Sequence, residues 1–422
     1  MTIVPFIVSE HCSEAAFLWL LRDTTVHQPN YALRHLARLD NRIEAHLDGL
    51  RVAGVQGASV ALEEAVANPE PGELFALASC AFELNDTALI DQVLALAAPD
   101  LFSHRAVASA LGWLELAAAK KHILALFERS QLTPTPTTAA AHAIAVAAAA
   151  IHRWDPGLPL ATAANSPDAS TRARALRAIG ELGLTTASSA LRAGLTHAEF
   201  AVRAAAAWSS VLLGDASALP ILKECAVKPH PLHRRLANLA FRRTPPAEAR
   251  AWRLQLAGDP KTHRLAMFGA GAVGDPVAVP WLIELMKTDA TARAAGESFT
   301  MITGADLAFL DLERKPPADF DAGPTEDPAD PNVESDPDGV LPWPDERLVR
   351  SWWAANSGRF AQGQQFLFGR PVSDEAGLRL TLRDGFQRHR AAAALELALR
   401  KPGTPLFEAR ARADRQRAML GA

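Results

Sequence analysis

Apolar residues return along this chain at spacings of three and four with polar residues between them, the pattern of helices that each bury one stripe. Residues 31–50 show it most clearly, with Leu33, Leu36, Leu39, Ile43, Leu47 and Leu50 on one face. A preceding segment, 14–22, carries Ala15, Phe17, Leu18, Leu20 and Leu21; Pro29 separates the two, and Gly54 with Gly57 ends the second. This helical hairpin, residues 9–54, reads as the N-terminal cap, residues 1–57, of a larger helical array. Residues 74–84, 105–116 and 139–151 each resemble the second helix of a pair, with Pro71, Pro99, Pro134 and Pro136 as breakers.

From 166 to 304 the pattern becomes regular. Arg172, Arg203, Arg234, Arg264 and Arg293 recur at intervals of 31, 31, 30 and 29 residues, each near the start of an Ala/Leu-rich helical stretch. A period of this size marks one supersecondary unit that cannot bury its apolar face alone, so the units must stack. Each unit reads as turn, helix, Gly-bearing turn, helix. Asp168 and Asp259 stand where they can cap free N–H groups, Ala175 and Ala206 allow close helix approach, and glycines accept positive φ at the turns. The arginines can reach the capping aspartate of their own or the adjacent unit, forming a structural ladder; a binding role is the alternative. The predicted fold is all-α, a right-handed α-solenoid of stacked helix pairs, with repeats over 58–304.

The block 168–183, echoed at 259–285, resembles the short bacterial HEAT-like repeat of phycobilisome-lyase relatives. The strings FLWLLRD (17–23), LDGLRVAG (47–54), AAWSSVLLGD (206–215), GAGAVGDP (269–276), FTMITGADL (299–307) and LPWPD (341–345) resemble an uncharacterised proteobacterial family of HEAT-repeat proteins. Members are often encoded among type VI secretion genes. The resemblance implies an accessory or effector-handling role with a secretion adaptor, spike or effector as protein partner, and it carries over no catalytic residues.

After Gly304 the periodicity stops. Residues 311–350 hold twelve acidic residues against four basic ones, together with eight prolines, so an extended loop insertion is expected over 305–358. Trp343, Trp352 and Trp353 are too apolar for a free linker; they pin the loop back onto the array or dock a partner. Glu334, Asp336 and Asp338 alternate before Gly339, and Asp345 falls at the twelfth place, as in a calcium loop. Glu at the first place, Asp at the last, and Pro337, Pro342 and Pro344 depart from that pattern, so no metal is assigned and a solvated acidic loop is the alternative reading. Helices are expected to resume at 359, with a last repeat helix over 383–399 stopped by Pro402-Gly403, then a basic cap holding Arg400, Lys401, Arg410, Arg412, Arg415 and Arg417.

Composition narrows the function classes. With 49% hydrophobic and 21% charged residues this is a folded chain, not a disordered one. Cys12, Cys80 and Cys225 form no C-x-x-C pair, no secretory signal or membrane-length apolar run stands out, and a cytoplasmic protein is expected. No G-x-S-x-G, H-E-x-x-H or P-loop occurs, and the G-x-G-x-x-G at 269–274 lies between helices instead of after a strand. No cofactor is implied, and the reading is non-enzymatic. Between 228 and 264 nine Lys and Arg residues face only Glu248 and Asp259. Arg234, Arg235, Arg242 and Arg243 are therefore partner-binding candidates beside Trp343, Trp352 and Trp353. The leading expectation is a protein-binding scaffold; a nucleic-acid-binding solenoid face is the runner-up, and an enzyme of unknown type comes last.

Overall fold

The computed structural model describes residues 4–318, 320, 323 and 336–421. It divides into two compact units, the first built from residues 1–27, 31–221 and 398–422, the second from 28–30 and 222–397. Both are stacks of antiparallel helix pairs, the all-α solenoid architecture expected from the repeat. Among the described residues the only strands are β1 (Phe366–Leu367) and β2 (Arg370–Pro371), a two-stranded antiparallel hairpin.

In unit 1, α1 (Pro5–Thr25) packs on α2 (Leu33–Ala53), and four further pairs follow: α3 (Val55–Ala67) with α4 (Pro71–Leu84), α5 (Thr87–Ala97) with α6 (Leu101–Trp113), α7 (Leu116–Arg129) with α8 (Pro136–Ile151), and α9 (Leu158–Ala163) with α10 (Ala169–Leu182). The last pair is α11 (Ser188–Leu195) with α12 (Phe200–Leu212). Helices α1, α4, α6, α8, α10 and α12 touch in that order and form the inner row, so the repeat does extend upstream of the arginine series. Small residues let the row close up: Ala175, Ala178, Ala204, Ala206 and Ala207 are fully buried. At the N-terminal end the core turns aromatic, with Trp19 stacked on Phe75 at 5.5 Å and Trp113 edge-on to Phe75 at 5.5 Å. Burying each such side chain contributes about 1.5–3 kcal/mol. Local signals agree: Asp86, Asp100 and Asp168 each accept backbone N–H bonds at the start of α5, α6 and α10, each cap stabilising by about 1 kcal/mol.

In unit 2, α14 (His233–Arg243), α16 (His263–Val273) and α18 (Asp289–Thr303) form the inner row, backed by α15 (Pro246–Ala257) and α17 (Val279–Leu285). The outer helix α13 (Leu219–Ala226) spans the sequence boundary between the units. Then come α19 (Glu346–Asn356), the β hairpin, α20 (Glu375–Asp384) and α21 (Gln387–Arg400), while α22 (Ala413–Leu420) belongs to unit 1 and packs on α2.

Three local expectations are corrected. Gly54, at φ +58, ends α2 alone, and Gly57 lies inside α3 with the Leu50 carbonyl oxygen 2.5 Å from where its Cβ would stand. Residues 346–356 are helical instead of loop, because no proline occurs between Pro344 and Pro371 and the Asp345 carboxylate accepts from Arg347 N and Leu348 N. The helix expected over 383–399 is broken: the Gly385 N–H bonds Thr381 O to end α20, its ψ of 169° turns the chain, and α21 starts afresh at Gln387.

The basic C-terminal segment is a strap. From Pro402, packed at Gly214, it passes Gly183, Arg153 and Trp113, and so crosses the C-terminal ends of α12, α10, α8 and α6 in turn. Leu406 N donates to Glu181 O at 2.9 Å; Arg412 donates to Trp113 O at 3.1 Å, and Arg415 to Leu114 O at 2.9 Å and Gly112 O at 3.2 Å. These carbonyls are the orphan acceptors of helix ends, where cations also meet the negative end of the helix dipole. Arg22 donates to Arg410 O and Ala411 O, pairs with Asp40, and Asp40 in turn accepts from Ala413 N at 2.7 Å. Gly183 is required here twice over: its φ is +75°, and a Cβ would lie 2.5 Å from Gly403 O.

Candidate functional site

The five repeat arginines all fall within the first five residues of an inner helix, Arg172 on α10 and Arg203 on α12 in unit 1, Arg234, Arg264 and Arg293 on α14, α16 and α18 in unit 2. Among the described residues none bonds a helix-capping aspartate, which corrects the expected ladder. Asp168 and Asp259 turn back onto Thr171 N and Lys261 N, so the guanidiniums are left to find other acceptors. Arg203 donates to the His197 and Ala198 carbonyls at 2.6 and 3.0 Å, and Arg172 Nε is buried without an acceptor among the described residues.

In unit 2 the row is met by the end of the acidic insertion. Asp336 pairs with Arg293 at 2.5 Å and Asp338 pairs with Arg264. A tight turn presents both carboxylates: Asp338 N donates to Asp336 Oδ1, Gly339 N to Asp336 O and Leu341 N to Asp338 O. Burial alone would raise the Asp336 carboxyl, but the Arg293 hydrogen bond and the Asp338 N–H hold its pKa below the usual value. Trp343, 8% exposed, lies between Arg293, 4.4 Å from its ring centroid, and Arg314, 5.0 Å from it, with Phe320 edge-on at 4.9 Å. Arg314 N and Trp343 O close an antiparallel bridge at 2.7 Å, and Arg314 pairs with Asp289 of α18. The ends of the insertion are thus tied down by cation–π contact and backbone pairing.

The calcium-loop carboxylates are committed elsewhere. Asp336 and Asp338 face arginines and Asp345 caps α19, so these three do not converge on one point; Glu334 lies outside the described residues. Trp352 and Trp353 are half-buried on α19, Trp352 edge-on to Phe299 at 5.6 Å and Trp353 beside Phe360 at 5.3 Å.

The basic stretch 228–264 separates into two groups. Arg242 pairs with Glu396 at 2.7 Å and bonds Asn238, Arg250 pairs with Asp275, and Arg253 stands 4.4 Å over Trp281. Arg235 is half-buried, and Arg243 is exposed at the far end of α14 from Arg234, about 13 Å away at 1.5 Å per residue. The second group surrounds a cavity of about 270 Å³ lined by Lys228, His233, Arg234, Lys261, Arg264 and Phe268, together with Glu297, Asp338 and Leu341. Its two carboxylates are engaged, Asp338 by Arg264 and Glu297 by Arg388 at 3.0 Å. Arg234 lies 5.1 Å over the Phe268 ring and has no carboxylate partner among the described residues. Burial lowers its pKa, with Arg388 and Arg264 adding to the shift against Glu297 and Asp338. A guanidinium so placed, with no carboxylate partner among the described residues, has the N–H fork to bond a planar two-oxygen group.

Sequence reasoning reached Arg234 and the surrounding basic run. It did not reach Phe268, Glu297 or Arg388, because contacts 91 residues apart, like Arg388 with Glu297, leave no local signal. An open cavity of about 640 Å³ in unit 1, between α8 and α9, is lined mostly by uncharged residues, with Asp168 already used as a cap.

A family model described as HEAT repeats matches residues 158–242, which run from α9 through most of α14 and include Arg172, Arg203 and Arg234. No curated protein and no solved structure shows a match to the chain. The matched segment is similar to HEAT repeats, a class of stacked helix pairs commonly used as interaction scaffolds, which fits a non-enzymatic scaffold. No described helix is long and apolar enough to cross a membrane.

Proposed function

We propose that this protein is a non-enzymatic scaffold that binds a protein partner through the arginine-bearing inner row of its helix pairs. The observation that carries the reading is the cavity at Arg234, which joins cations and apolar side chains to a guanidinium with no carboxylate partner among the described residues. The similarity of residues 158–242 to HEAT repeats supports it. The finer part of the proposal, a cytoplasmic accessory or effector-handling role in type VI secretion with an adaptor, spike or effector as partner, rests on the sequence resemblance alone. Nucleic-acid binding is the weaker reading: Arg242, Arg250 and Arg253 are consumed by Glu396, Asp275 and Trp281, which leaves a short basic patch instead of a track along a phosphate backbone.

Affinity capture of the tagged protein from its native cells, with and without nuclease, tests this. A protein partner recovered in equal yield after nuclease supports the scaffold; loss of every partner on nuclease treatment overturns it in favour of nucleic acid. The secretion role fails if a recovered, nuclease-resistant partner belongs to no secretion machinery.

A further inference from the structure

The insertion shows what the arginine row accepts. Asp336 and Asp338, two residues apart, occupy Arg293 and Arg264 on neighbouring inner helices. Packed helices lie about 8–10 Å apart, and the tight turn that begins at Asp336 spans this step with side-chain reach, so acids two positions apart place one carboxylate on each of two neighbouring helices. Arg234 is the next member of the row; it lines the cavity and has no carboxylate partner among the described residues.

The cavity chemistry fits the same kind of group. Lys228 and Lys261 add positive charge at its rim, Lys228 already sharing its ammonium with Glu224 at 2.7 Å. Phe268, Leu265 and Leu341 supply an apolar wall. At about 270 Å³ the space is smaller than the roughly 300–1,000 Å³ of sites that enclose a whole small-molecule ligand; it takes a side chain or two. A nucleic-acid strand following the row would run onto Asp336 and Asp338, where the arginines are already neutralised.

We propose that the cavity at Arg234 receives an aspartate or glutamate side chain from an acidic segment of the partner protein, as Arg293 and Arg264 receive Asp336 and Asp338. This rests on the scaffold reading and names the chemistry of its partner. The Arg234 guanidinium holds the carboxylate through paired N–H bonds, Lys261 adds charge, and the Phe268 wall excludes water from one side of the contact.

The test uses the full chain and a fluorescein-labelled peptide with aspartate at alternate positions, its asparagine analogue, inorganic phosphate and a short oligothymidylate, followed by fluorescence anisotropy. Binding of the aspartate peptide is expected, with a loss of about tenfold or more for the asparagine analogue and for Arg234→Ala. Arg347→Ala, which removes an exposed arginine of the same unit, is expected to leave binding unchanged. Arg234→Lys, which keeps the charge and loses the fork, should fall between; together with Lys261→Ala it stands in for Arg234→Ala should that variant not fold by circular dichroism. Equal binding by wild type and the Arg234 and Lys261 variants overturns the proposal, as does no binding of the aspartate peptide, or oligothymidylate or phosphate binding at Arg234 in preference to it. Captured partner that survives in full in Arg234→Ala sinks the cavity assignment and leaves the scaffold standing; wild type that captures no protein sinks the scaffold itself.

Discussion

Two charged rows end in opposite ways. In unit 1 the C-terminal ends of the inner helices are closed by the chain's own strap, which buries Glu408 against Arg153 and Arg410 and lies over Glu181, itself held by Arg174 and Arg177. In unit 2 the N-terminal arginines are paired at Arg293 and Arg264, while Arg234 has no carboxylate partner among the described residues. Where every charge is paired and dry, the network serves the fold; where one guanidinium faces a cavity, it is available to something else. The residue types are the same, so composition alone does not separate the two.

The largest expected effect comes from breaking the closed row. Glu408→Gln strands Arg153 and Arg410 in a buried site, and a loss of about 3–5 kcal/mol is expected in urea unfolding; a neutral result would show that the strap does not hold unit 1. Trp343→Ala, which removes the plate between Arg293 and Arg314, should cost about 3 kcal/mol, read as a lower midpoint in the same experiment. By contrast Arg234→Ala should change stability by no more than about 0.5 kcal/mol, and a drop as large as that of Glu408→Gln would erase the distinction between the two rows.

Acid should separate the units in sequence. Burial holds His389 of unit 2 neutral, with its pKa pushed down to about 3 from an ordinary 6.5, and His152 of unit 1 down to about 4. The unfolded chain therefore takes up protons first: the stability these histidines contribute is complete above pH 6.5 and declines toward pH 3. For His389 the loss at pH 5 is about 2 kcal/mol, and His389→Leu should flatten the melting temperature across this window. Burial would raise the Glu408 and Glu181 carboxyls, but Arg410, Arg153, Arg174 and Arg177 hold both far below the usual range. Their contribution is complete above about pH 4.5 and is lost as pH falls below it, so a second, steeper decline is expected, largest in unit 1, and Glu408→Gln should remove part of it. The smallest expected signal is a null. Burial pushes the Cys12 and Cys80 thiols up to about 12, so neither should alkylate at pH 8 in the folded protein, as mass spectrometry would report.

The sequence by itself determined the helix pairs and their stacking. The 29–31-residue period, the Ala-rich inner faces, the aspartate caps and the glycine turns are all local, and each acts within one unit or between adjacent ones. It also placed Arg234 at a helix start and marked the basic run and the acidic insertion. Only the tertiary structure decided what those charges do. That Arg242 would vanish into Glu396 while Arg234 kept no carboxylate partner among the described residues depends on a chain segment about 150 residues further on. That the basic end of the chain would become a strap over unit 1, and that Asp336 and Asp338 would land on Arg293 and Arg264, depends likewise on where distant segments return. Helix periodicity is written every few residues, whereas the pairing of charges is a choice among many distant partners, made by the space the packed helices leave.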